Sequence, residues 1–167
     1  SSFELLTEFD VVVPEGYNYA TCLDSFKAKY QDGEKKSFAY YNDAITDQNF
    51  ANATTKLVAG RKFKVKVFGI TRRVTSEECM DQVHSQKAVL VGAQGATLAW
   101  EQKRDQLPKG KWHVSFDEKE ALWEDAVGGH RVPFVDARSD GGFKFFLGHF
   151  EGGWGPDYCL LCFCDSE

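Results

Sequence analysis

Apolar and acidic residues alternate from the start of the chain. Phe3, Leu5, Phe9, Val11 and Val13 fall on one face, with Glu4, Glu8 and Asp10 on the other. That is the period of a half-buried strand, and Pro14-Glu15-Gly16 ends it. Tyr19, Leu23, Phe26 and Tyr30 then recur at helical spacing, with Asp32-Gly33 closing the helix. The aromatic run "SFAYYNDAI" from Ser37 predicts a second strand, and a short helix is expected over 47–53. In "RKFKVKVFGI", Phe63, Val65 and Val67 face one way and Lys62, Lys64 and Lys66 the other, the pattern of a further strand. Thr75 and Glu78 have the spacing of a capping box, with Val74 placed to staple onto Cys79. The helix they start would turn Cys79, Met80 and Val83 inward. "AVLVG" and "ATLAW" read as strand segments broken by Gly92 and Gly95.

The first hundred residues thus predict mixed β-α-β units, strand–helix–strand twice over, an order compatible with a ferredoxin-like sandwich. After Trp100 the character changes. "KWHVSF", "ALWED", "HRVPFVDAR", "FKFFLGHF" and "CLLCFC" are strand candidates separated by Pro, Gly and Asp. Asp140-Gly141 suits a tight two-residue turn between two of them. The expectation is an α+β fold in a single domain, 1–167, with an α/β-rich lobe over 1–100 and an antiparallel β-meander over 101–167.

Composition narrows the function classes. With 43% hydrophobic and 27% charged residues the chain is globular. A net charge of -5 argues against a surface that tracks nucleic-acid phosphates. No apolar run reaches the roughly 18 residues of a membrane span. The chain begins Ser1-Ser2 without Met, which suits removal of a preceding segment. Five cysteines, three of them within "CLLCFC", fit reduced thiols in a cytoplasmic protein better than a secreted disulfide framework.

That cysteine cluster has the look of a metal or redox site, but in a strand Cys159 and Cys162 point to opposite faces. No second Cys-x-x-Cys completes a zinc site. Both faces of the run are apolar, as in a strand covered on both sides. Three histidines offer another chemistry. With Asp140-Gly141 as the turn, His149 falls opposite Val132 and diagonal to His130 on one face. His113 on another strand could then complete a hydrolytic metal site. The same face carries Phe134, Phe145 and Leu147, which favours ordinary strand histidines. "GAQG" over 92–95 resembles a phosphate-binding turn without the Lys-Ser/Thr that would follow it. "EQKRDQLPKGK" reads as a solvated loop.

The remaining candidate is "GHFEGGWGPDY", which puts Phe150, Trp154 and Tyr158 in a glycine-rich loop beside His130 and His149. Partly buried loop aromatics are efficient binding anchors; alternatively, Trp154 plugs the end of the sheet core. The sequence therefore points to a soluble ligand- or protein-binding module. Its ligand-binding residues would be Trp154, Phe150, Tyr158, His130 and His149, with a small molecule or a protein as partner and no cofactor, nucleic acid or membrane. The alternative is a metal-dependent hydrolase using the strand histidines.

Overall fold

The computed structural model describes residues 1–34, 36–137 and 142–166. In chain order the elements are β1 (Phe3–Val12), α1 (Cys22–Tyr30), β2 (Phe38–Tyr41), β3 (Lys62–Ile70), β4 (Val74–Thr75), α2 (Ser76–Ser85) and α3 (Gly92–Lys103). There follow β5 (Lys111–Val114), β6 (Trp123–Glu124), β7 (His130–Ala137), β8 (Phe143–His149), β9 (Gly153–Trp154) and β10 (Tyr158–Asp165). Among the described residues one eight-stranded sheet runs β1-β3-β10-β5-β7-β8-β2, with β6 beside β7, and β4 pairs separately with β9. The fold is α+β. No helix among the described residues is long and apolar enough to cross a membrane.

Several expectations change at this level. The stretch expected to form a second strand–helix–strand unit instead contains α3, so the ferredoxin-like order is not the observed one. Every residue of α3 from Gly92 to Trp100 is buried. A helix enclosed on all sides has no polar stripe, and its Ala, Gly and Thr residues carry no helical period. The small side chains let it lie close to the sheet. A Cβ on Gly95 would sit 3.0 Å from Phe163 Cζ and only 2.2 Å from Val91 Cγ2. No helix forms over 47–53, which is a run of turns. Within it, Asp47 accepts the Leu23 and Asp24 amides at 2.8 and 3.0 Å, capping α1 from a distant segment.

The expected C-terminal meander is likewise only partial. β5, β7 and β8 pair antiparallel, as does β6 with β7. But β10 leaves them to lie antiparallel to β3 and parallel to β5, and β2 joins β8 in parallel. The last strand is therefore inserted between the two parts of the chain. It is buried on both faces: Cys159, Leu160 and Cys162 are each 0% exposed. All five thiols are free. Burial raises the Cys159 thiol to about 11 and pushes Cys162 up as well, so neither is a thiolate at neutral pH.

Residues directly opposite one another share a face of the sheet. The registers put Val65, Phe163, His113, Val135, Phe145 and Tyr41 on one face. α1 and α3 cover it: Trp100 meets Phe38 at 4.7 Å and Phe143 at 5.1 Å, and Phe26 meets Phe145 at 6.3 Å. The second face carries Phe68, Leu160, Trp112, Phe134, Phe146 and Tyr40. α2 lies on this side, started by the expected capping box: Thr75 Oγ1 accepts the Glu78 amide at 3.1 Å and Glu78 returns the bond.

Candidate functional site

The structure closes the loop that the sequence offered as a binding mouth. Trp154 is 2% exposed. Its indole N–H donates to Ser76 Oγ at 2.8 Å, and its ring meets Tyr158 at 5.0 Å and Phe116 at 5.4 Å. It rests on Gly148, where a Cβ would come within 2.7 Å of Trp154 Cη2, so only glycine leaves room for the ring. Phe150 is also buried and packs on Phe116. Tyr158 is half-buried. His130 lies at the rim, between Glu151 Oε2 at 2.7 Å and Glu124 Oε1 at 3.3 Å, while His149 is exposed. The five residues thus separate into two buried rings, Trp154 and Phe150, the half-buried Tyr158 and two outlying histidines.

The histidines do not share a face. His149 stands opposite Arg131, not Val132, which puts His130 on the other side of the sheet. The Asp140-Gly141 turn from which the other register follows lies outside the described residues. His113 is sealed in the core, with Nε2 3.0 Å from the Pro108 carbonyl oxygen and Nδ1 unpartnered. Desolvation lowers its pKa to about 4. Among the described residues no group of three or more His, Cys, Asp or Glu is placed to hold a metal ion.

Two other features have the geometry of binding surfaces. The first is a row of rings on the second face, one from each of five neighbouring strands in the order β2-β8-β7-β5-β10. Tyr40 stacks on Phe146 at 4.9 Å and Phe146 on Phe134 at 5.3 Å. Phe134 meets Trp112 at 5.8 Å, and Trp112 meets Tyr158 at 4.9 Å. Tyr40 is 42% exposed, and Phe146, Trp112 and Tyr158 are partly so. Lys144 Nζ lies 5.8 Å from the centre of the Phe146 ring. α1 and α3 lie on the opposite face; α2 lies on this one, beside β4 and the β3–β10 end, where its C-cap Gln86 meets Lys66 and Cys164. Tyr158 belongs to both: the predicted mouth supplies one end of this row, and the buried Trp154 packs on the same face against Tyr158 and Phe134.

The second feature is a cleft of about 230 Å³ between α1 and α3, closed at one end by the loop after β1. Thr21, Cys22, Ser25 and Lys29 line it from one side of α1; Thr97, Leu98 and Glu101 line it from α3. Tyr17 donates its hydroxyl to Cys22 Sγ at 3.0 Å, and burial raises the thiol to about 11. The sulfur is therefore a neutral, weakly polar wall and not a nucleophile. Sequence periodicity identified only the apolar side of α1. The polar residues Thr21, Ser25 and Lys29 recur at the same helical spacing and are the available signal.

Comparison with known proteins adds no name to either surface: no family model, curated protein or solved structure matches the chain.

Proposed function

We propose that this chain is an interaction module that docks a protein partner on the ring row of Tyr40, Phe146, Trp112 and Tyr158. The observation that carries the reading is that five neighbouring strands each contribute an aromatic ring to one face, and that four of these rings, Tyr40, Phe146, Trp112 and Tyr158, are partly exposed. An apolar patch left open on a sheet face suits partner binding, and Trp and Tyr are the side chains that most often dominate such contacts. The stacking favours a protein over a nucleic acid. Tyr40, Phe146 and Phe134 already present their faces to one another at 29° interplanar angles, so a base could enter only by breaking the stack. Apolar side chains can instead pack along the exposed ring edges.

The test is selection of a random peptide library on the wild-type chain, followed by affinity measurement on a Tyr40→Thr/Phe146→Thr variant. Threonine keeps strand propensity at both positions and removes the rings. Selected peptides should bind the variant about thirtyfold more weakly, the effect of losing about 2 kcal/mol at an interface centre. Equal affinity for a variant that melts like the parent would remove the proposal.

A further inference from the structure

We propose that the α1–α3 cleft is a separate binding site, for a small zwitterion of the α-amino-acid type with an apolar side chain. It lies against the face of the sheet opposite the ring row, and its ligand chemistry follows from its own residues.

The charged end is a matched pair. Lys29 Nζ from α1 stands 3.2 Å from Glu101 Oε2 of α3. Tyr30 also donates its hydroxyl to that oxygen, at 2.5 Å. Among the described residues both contacts fall on one carboxylate oxygen, Oε2, and Oε1 is left to accept from a ligand ammonium. The lysine, which is largely exposed, has donors left for a ligand carboxylate. A molecule carrying an ammonium and a carboxylate on the same carbon satisfies the two sites together. A lone anion would meet Glu101 as a like charge, and a lone cation would meet Lys29.

The rest of the cleft sets size and polarity. Leu98 and Phe26 form apolar wall, extended by the neutral Cys22 thiol, and suit an aliphatic or thioether side chain. Thr21 and Ser25 add polar wall to the cleft. A cleft of about 230 Å³ has room for a molecule the size of one amino acid.

The experiment is an NMR titration of the wild-type chain with L-leucine, following the Ser25 and Thr97 amides. Two controls each remove one charge: 4-methylpentanoate lacks the amine and 3-methylbutylamine lacks the carboxylate. Leucine should shift both amides saturably, and each control should bind at least about tenfold more weakly. Lys29→Met, at a largely exposed position, should fold normally and abolish the leucine response. Unmoved Ser25 and Thr97 signals up to the solubility limit of leucine would overturn the proposal. So would controls that bind as well as leucine, or a Lys29→Met variant that still responds. None of these outcomes touches the ring row, whose test uses other residues and another ligand.

Discussion

Replacing Trp154 with alanine separates a buried plug from an exposed binding anchor. The ring is 2% exposed and packed among Phe116, Phe134, Tyr158 and Gly148. A buried Trp removes about 150–250 Å² from water, and truncating one to alanine costs about 3–5 kcal/mol. The change also strips Ser76 Oγ of the indole N–H that now reaches it at 2.8 Å, at a residue that is 0% exposed. An unsatisfied buried hydroxyl adds roughly 1 kcal/mol or more. The expected loss is about 4–6 kcal/mol, or about 8–24 °C in melting temperature for a chain of this size. Trp154→Phe keeps most of the packing and should lose about half as much. Thermal melts and urea titrations followed by far-UV circular dichroism read both. A Trp154→Ala protein melting within about 2 °C of the parent would refute the plug and reopen the loop as a binding mouth.

Stability should also fall in mild acid through His113. Its imidazole titrates near 4 in the fold, against about 6.5 when exposed, because burial disfavours the charged form. Above pH 6.5 both states hold it neutral; below, the unfolded chain takes up a proton that the fold does not. Its contribution is thus lost between about pH 6.5 and 4, up to about 3 kcal/mol. From pH 7.5 to 4.5 the urea midpoint of wild type should therefore fall further than that of His113→Gln; equal falls would contradict it. Leu161→Ala, at a 2% exposed position in β10, should cost about 2–5 kcal/mol in the same assay. Under native conditions a bulky thiol reagent should label the half-buried Cys22 and Cys164 before the buried Cys79, Cys159 and Cys162; rapid labelling of all five would show that β10 is not central.

What could be read from the sequence depended on whether the signal was local. The alternation in β3, the two apolar faces of β10 and the Thr75–Glu78 box are set by neighbours a few residues apart, and each takes its expected form. α3 was illegible because a helix buried all round shows no amphipathic period, and its glycines imitate strand breaks. The histidine register slipped by one residue because it was counted from an assumed turn, and one residue exchanges the faces of a strand. The ring row draws Tyr40, Trp112, Phe134, Phe146 and Tyr158 from five separate strands. Alternation gives each ring a side, but only the strand order makes them neighbours. Local pattern carried the core, and topology made the candidate site.

The most direct measurement for the docking face is the response of the tryptophan indole N–H signals when a peptide selected on the wild-type chain binds. The chain has four tryptophans, and two of them discriminate. Trp112 stands in the row, against Tyr158 at 4.9 Å, whereas Trp154 is buried beside it with its N–H held by Ser76. Binding on the row should shift the Trp112 indole strongly and leave the Trp154–Ser76 hydrogen bond, and its slow exchange with solvent, in place. A peptide that instead releases the Trp154 indole, or shifts the α1–α3 cleft while Trp112 stays unmoved, would contradict the assignment.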